Sequence, residues 1–383
     1  MIPEGRKIRV LFTNWVDTHN FNAQSLNARE IALRLDPRLF LSTLFYEREP
    51  DPRLIRKASI RLVHLPPRLS LIRMLVEAFR GHDLLFRVNP NRFTTLYLAI
   101  PGRLRGRARV VDWLESPASP LFESDWRGLG EWHCRVQKKV DYRIAVTEYV
   151  ARTHHAECGL NHVGFIPAGV DTGFFTPPAA RENEVPVVLF VGHLIARKNP
   201  LAALAAARRF PRARFVLVGA KRDAHHLLLA RQVDRWRLDN VTLLEPMPQA
   251  QLRALMQMSD ILFHPSKVES MGKVLLEGGA TGLPGLMFDH FQSPAVQDGV
   301  TGFQVKTLSQ MMDRLGLLLE DRSLRRRMGE AAVAYARQFD WDPIVKQWEI
   351  VLERMASAEP ERKDPEPLWC DYYARLRSNP LAE

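Results

Sequence analysis

Short apolar runs recur along this chain, each closed by a polar loop and followed by a stretch with helical spacing. Residues 8–13 read as a buried parallel strand, and further strands are predicted at 41–46, 60–64, 83–88, 109–112 and 142–146. In the second half the runs fall at 187–191, 214–219, 240–246, 261–263, 285–288 and 302–305. Helical patterns lie between them. One covers 21–35, with apolar positions at Leu26, Ile31, Leu33 and Leu35, and Asp36-Pro37 stops it. Another covers 249–258, a short one 293–298, and two or three more follow Val305. Strand–helix alternation of this kind predicts α/β architecture with doubly wound parallel sheets, which bind ligands beyond the carboxyl ends of their strands.

With 383 residues, 46% of them hydrophobic, the chain is long enough for two cores. Pro177 to Pro186, rich in proline and charge, is the best boundary. It predicts a first domain over 1–178 and a second over 179–341, with 342–383 available to pack back on the first. No run of about 18 apolar residues occurs, so no membrane-spanning helix is expected. The first ten residues lead into a strand and lack the apolar core of a signal peptide. Cys134, Cys158 and Cys370 are few, odd in number and outside metal-ligand spacing, which points to a reducing, cytoplasmic setting without structural zinc. The net charge is +11, and residues 1–178 hold 26 Lys and Arg against 18 Asp and Glu. No helix-turn-helix, zinc-finger or RNA-binding signature accompanies that excess, so a nucleic-acid partner is not expected.

Chemistry concentrates in residues 260–288, where a strand, a polar loop closed by Gly272, a helix and a second strand follow one another. The loop runs into the N-terminus of the helix, whose unpaired N–H groups and dipole favour an anion. Glu269 precedes that end. Glu277 follows eight residues later, at most roughly 12 Å along the axis at about 1.5 Å per residue, and helical side chains lean back toward the N-terminus. Two carboxylates around a phosphate-binding helix end suit a ligand with hydroxyls at both ends and phosphate between. A nucleotide-sugar is such a ligand.

Glu269 and Glu277, with Pro265-Ser266 ahead and Gly282-x-Pro284 behind, resemble the Glu-x7-Glu motif of retaining family 4 glycosyltransferases. The resemblance implies the GT-B fold, two Rossmann-like domains facing a central cleft, the second binding the donor and the first the acceptor. Ile166-Pro-Ala-Gly-Val-Asp171 is similar to the family's Ile-Pro-Asn-Gly-Val-Asp segment, with Ala168 for asparagine. The family's Gly-Arg…Lys-Gly pattern, whose Arg and Lys grip the donor diphosphate, is met by Gly192-His193 and Arg197-Lys198-Asn199. Lys198 matches, while His193 stands for arginine and Asn199 for glycine. A neutral imidazole donates one hydrogen bond where guanidinium offers a charged fork, so either donor affinity is reduced or Arg197 compensates. The resemblance gives Glu269 the sugar hydroxyls, Glu277 the ribose hydroxyls and Lys198 the departing diphosphate. It places the diphosphate over Ser270, Met271 and Gly272, and the base near Met247.

The first domain agrees in layout with weaker motifs. The family's first loop is usually glycine-rich, yet Asn20-Phe-Asn22-Ala-Gln-Ser25 holds no glycine. Asn20 and Asn22 either donate to phosphate or cap the following helix. Where the family commonly has a histidine near the reacting sugar, this chain has Asp112-Trp-Leu-Glu115-Ser. Asp112 and Glu115 either meet sugar or acceptor protons or cap the next turn. Residues 67–80 and 101–109 mix apolar positions with arginine, and are either an anionic-membrane surface or a core helix and a solvated basic loop. Asp340-Trp-Asp342 matches the Asp-x-Asp of metal-dependent transferases but reads better as helix punctuation, Asp342 capping ahead of Pro343. The expected protein is a retaining glycosyltransferase of polysaccharide biosynthesis. It would use a UDP-, GDP- or ADP-sugar and a glycan or lipid-linked acceptor, with no cofactor and no metal, in the cytoplasm or at the inner membrane face. The alternatives are a catalytically impaired nucleotide-sugar-binding module on the same fold and a sugar-nucleotide epimerase.

Overall fold

The computed structural model of the chain describes residues 6–18, 22–102, 104, 106–118, 130–162, 164–181, 183–219 and 225–357. They form two compact units, one from the described parts of Met1–Ala168 and Trp341–Glu383, the other from Gly169–Asp340. The first holds strands β1 (Ile8–Trp15), β2 (Phe40–Tyr46), β3 (Ile60–His64), β4 (Leu84–Val88), β5 (Arg109–Leu114), β6 (Tyr142–Ala145) and β7 (Gly164–Phe165). They make a parallel sheet in the order β3-β2-β1-β4-β5-β6-β7. Val10, Leu11, Phe12, Leu84, Leu85 and Phe86 are fully buried. A parallel strand covered on both faces reads as a continuous apolar run, and these do.

The helix Trp341–Ser357 belongs to this first unit. Trp348 is fully buried, with its ring 4.8 Å from Phe86 and 5.2 Å from Trp113, both edge-on. The backbone N–H of Asp36 donates to Glu349 Oε1 at 2.7 Å, and the Arg109 guanidinium donates to the carbonyl of Met355 near the helix's end. The helix begins at Trp341, so Asp342 lies in its first turn rather than capping it, and Asp340 instead accepts from Thr172. The tail beyond Ser357 lies outside the described residues.

The sequence assigns the cysteines no pairing, and the structure pairs two of them. Cys134, on the helix Gly130–Gln137, and Cys158, on the helix Glu148–Cys158, are joined by a disulfide with Cα atoms 5.2 Å apart. A separation of 24 residues with no repeated spacing carries no pairing signal, because the pairing comes from two helices meeting in space.

The second unit holds β8 (Val187–Val191), β9 (Arg214–Val218), β10 (Val241–Leu244), β11 (Ile261–His264), β12 (Gly285–Phe288) and β13 (Gly302–Val305). They make a parallel sheet in the order β10-β9-β8-β11-β12-β13, so strand order reverses between β8 and β11. The boundary between units falls at 168 rather than 178. Phe175 is buried, Gln257 donates to the carbonyl of Thr176 at 2.8 Å, and Arg181 donates to those of Gly282 and Thr281 at 2.7 and 2.8 Å. Proline in this stretch rules out regular structure but leaves it free to pack. Residues 293–298 also depart from the reading, forming turns rather than a helix. There the Ser293 hydroxyl accepts from Ala295 N, and the Gln304 amide donates to the carbonyl of Val296, replacing helical bonds.

Candidate functional site

Parallel strands all end at one edge of their sheet, and the loops after β8 and β11 leave that edge side by side, where strand order reverses. Their approach depends on glycine. Gly192 N donates to Val218 O at 3.0 Å, and a Cβ on Gly219 would stand 1.8 Å from Gly192 O. The loop after β8 then tightens into a 3-10 turn over Ala196–Lys198, ended by Asn199 in the left-handed region at φ 53°. Two hydrogen bonds tie it to the loop after β11, from Lys267 N to Arg197 O at 2.8 Å and from Arg197 Nη1 to Val268 O at 3.2 Å.

These ties bring three basic side chains to one oxygen. Lys198 Nζ donates to Glu269 Oε1, Arg197 Nη1 stands 3.8 Å from that atom and His264 Nε2 3.3 Å from it. The cluster is enclosed, with the Lys198 side chain only 14% exposed. Burial alone would push the Glu269 carboxyl up, but Lys198, His264 and Arg197 together hold it well below the usual carboxylate range. Burial lowers the Lys198 ammonium against the pull of Glu269, and it lowers the His264 imidazole too.

The loop enters the helix Lys273–Ala280 through Gly272 at φ 68°, where a Cβ would meet Leu275 Cδ1 at 2.8 Å. Among the described residues no side chain caps this helix, so the N–H groups of its first turn open at its N-terminal end. The helix lies close on β11, since a Cβ on Gly278 would stand 2.6 Å from Leu262 Cδ2. Ser293 Oγ donates to Met271 O at 2.5 Å and fixes the approach to the helix. Glu277, in the second turn, is 6% exposed, and among the described residues its carboxylate accepts no hydrogen bond. Burial lifts it to about 7, opposed only by Lys273.

The structure therefore gathers Lys198, Arg197 and Glu269 and puts Ser270, Met271 and Gly272 at the adjoining helix end. Met271 is buried, so only its backbone is available there, while His193 and Met247 follow the carboxyl ends of β8 and β10, both half-buried. Sequence reasoning passed over His264 and used Ser266 only as part of the motif; the Ser266 hydroxyl is buried with no hydrogen-bond partner among the described residues. Their position on either side of Pro265 was the available signal.

The first unit's candidates fare differently. Asn22 caps the helix Ala23–Arg34, accepting from Ser25 N at 2.7 Å, and Asn20 lies outside the described residues. Asp112 faces inward from β5 and is engaged by both sides of the fully buried Arg87 guanidinium, which also donates to Thr94 Oγ1 at 2.9 Å. Its carboxylate is 1% exposed and spent on that guanidinium. Glu115 is buried, accepts from the Asn27 amide, and its own N–H donates to Asn89 Oδ1 at 2.7 Å. Asn89 adopts φ 60° to make that bond. Among the described residues no cluster of His, Cys, Asp and Glu fits a metal ion.

Residues 174–334 match the family model described as glycosyl transferases group 1. This segment is a domain of that family. The D-inositol 3-phosphate glycosyltransferase of Corynebacterium aurimucosum is 34% identical over 231 residues, covering 54% of this chain and 54% of that protein. The protein of the same name from Mycolicibacterium paratuberculosis is 32% identical over 248 residues, 60% of this chain and 54% of its own. The chain thus spans about half the length of the curated relatives it matches. Among solved structures, sucrose-phosphate synthase from Thermosynechococcus elongatus matches with a TM-score of 0.76 at 20% identity, over 92% of this chain and 100% of that one. Anabaena HepE, solved with UDP and glucose, matches with a TM-score of 0.73 at 18% identity, over 90% and 99%. The fold is GT-B, and the glycosyl transferases group 1 domain carries the Lys198–Glu269 cluster.

Proposed function

We propose that the protein is a retaining glycosyltransferase that moves a sugar from a nucleotide-sugar to a glycan or lipid-linked acceptor. The observation that carries this reading is the convergence of Lys198, Arg197 and His264 on Glu269, beside an uncapped helix N-terminus. Transfer breaks the bond between the anomeric carbon and the diphosphate oxygen and forms one to an acceptor hydroxyl oxygen, whose proton goes to the departing diphosphate; before that proton arrives, negative charge grows on the diphosphate. An ammonium has three donors. Lys198 spends one on Glu269, which leaves two for phosphate oxygens, and the N–H groups of the helix Lys273–Ala280 face the same anion.

Glu269, held ionised, accepts from sugar hydroxyls, and Glu277 accepts from the ribose hydroxyls once it is charged. Lysine, arginine and the helix dipole supply the positive charge in this reading, and a metal ion is not part of it. That HepE was solved with UDP and glucose supports a nucleoside-diphosphate sugar as donor. Retention of configuration rests on the motif resemblance. His193, where the resembled motif has arginine, favours one alternative, a module that binds the nucleotide-sugar without turning it over.

Incubation with a panel of UDP-, GDP- and ADP-sugars separates the readings. Release of nucleoside diphosphate that Glu269→Gln abolishes is the expected result, with the product's anomeric configuration read by NMR. Binding without release leaves the inert module, and an isomerised donor leaves an epimerase.

A further inference from the structure

The helix Ser70–Ala78 turns Met74, Glu77 and Ala78 into the first unit. Its outer side is not polar. Leu69, Ile72, Val76 and Phe79, spaced three, four and three residues apart, fall within about 80° of one another at roughly 100° per residue. A second segment comes up to this stripe, because a Cβ on Gly106 would lie 3.8 Å from the Phe79 ring, and Leu104 stands two residues before that glycine. All five large side chains are between 47% and 65% exposed. Contiguous exposure of this kind is unusual on a free soluble surface and marks an interaction site.

The charge around the stripe has one sign. Residues 61–80 contain four arginines and a single acid, Glu77, and residues 101–109 contain no acid at all. Glu77 is buried and neutralised by Arg61 at 2.6 Å and Arg80 at 3.5 Å, so it projects no charge outward. Arg68, Arg73 and Arg107 are exposed and form no ion pair among the described residues. Arg109 is the exception in the basic segment, since it turns inward to Met355; Arg103 and Arg105 lie outside the described residues.

We propose that this face docks on an anionic lipid leaflet, with Leu69, Ile72, Val76, Phe79 and Leu104 entering the acyl boundary and Arg68, Arg73 and Arg107 meeting lipid phosphates. An apolar stripe with the exposed Arg68, Arg73 and Arg107 in the same two segments fits that surface, with bulk hydrocarbon for one part and phosphate for the other. A protein partner matching both would need an equally acidic rim. The docking face belongs to the first unit and the Lys198–Glu269 cluster to the second, and the proposal stands whether or not that cluster transfers sugar.

Flotation of the full chain with vesicles of phosphatidylglycerol and phosphatidylcholine, against phosphatidylcholine alone, tests the proposal. The chain is expected to float with the anionic vesicles only. Each of Arg68→Gln, Arg73→Gln and Arg107→Gln should lower the partition coefficient by about fivefold, the equivalent of one juxtamembrane cation. The double variant Ile72→Glu/Val76→Glu, at exposed positions whose folding circular dichroism verifies, should stay at the bottom at low salt. Failure of the wild-type chain to float with anionic vesicles overturns the proposal, as does undiminished flotation of the double variant. A dimer seen by light scattering without lipid, and dissociated by the same double variant, would assign the face to a second copy and overturn it equally.

Discussion

Glu277 gives the site its pH signature. Its carboxyl, ordinarily near 4.5, is lifted to about 7 by burial. Between those values the folded chain holds a proton that the unfolded chain releases, so stability falls as pH rises through that window and levels off above it. Glu277→Gln removes the buried charge. It should stabilise the protein by about 3 kcal/mol at pH 8 and have little effect at pH 4, read from urea midpoints at the two values; an equal effect at both would contradict the assignment. Lys198→Ala should lower turnover by about 100-fold to 1000-fold, as loss of a preorganised charge-stabilising donor does, with KM for the donor read alongside. In the first unit Asp112→Ala would strand the buried Arg87 guanidinium, and should cost about 3–5 kcal/mol in chemical unfolding without a change in the donor's KM. The second-unit residues were legible because glutamate spacing on a helix and a lysine in a turn are local patterns. Asp112 was not. The sequence reading ended its strand at that residue, whereas β5 runs on to Leu114 with both faces buried, and a strand covered on both sides has no alternation to show which side chains face inward.

Strands were the most legible elements, since most central strands carry an apolar core of three or more residues, as Val10 to Phe12 and Leu84 to Phe86 do. What the pattern could not show was how closely neighbouring elements approach. The ends of β8 and β9 meet only because Gly219 has no side chain. Gly219→Ala puts a carbon against backbone, which cannot rotate away. The variant should lose about 3 kcal/mol and, by displacing the turn Ala196–Lys198, weaken donor binding in proportion. Differential scanning calorimetry and donor titration on the same sample check both parts, and a variant of wild-type stability would show that the two strand ends can separate freely. The 293–298 segment was misread for a related reason. It was read as a short helix, but its backbone and side-chain bonds run to one another and to Gln304.

At the scale of the molecule, composition and alternation gave two α/β units, and the order of the strands is the doubly wound one in both. The segment after Ala168 was harder to place because burial of Phe175 and the reach of Arg181 are tertiary facts. The chain also returns to its first unit through Trp348, a fully buried side chain between Phe86 and Trp113. Trp348→Ala should destabilise that unit by about 3–5 kcal/mol, and a two-step urea transition in which only the first unit's step moves would confirm where the helix belongs. The central claim is that the cluster around Lys198 and Glu269 receives the donor's diphosphate. Calorimetric titration of the folded wild-type chain and Lys198→Ala with UDP, GDP and ADP tests it most directly. The account predicts that at least one nucleoside diphosphate binds the wild type, and that the variant loses about tenfold to 100-fold in affinity, the worth of a hydrogen bond to a charged group. Equal affinity in the two proteins, or no binding of any of the three by the wild type, would contradict it.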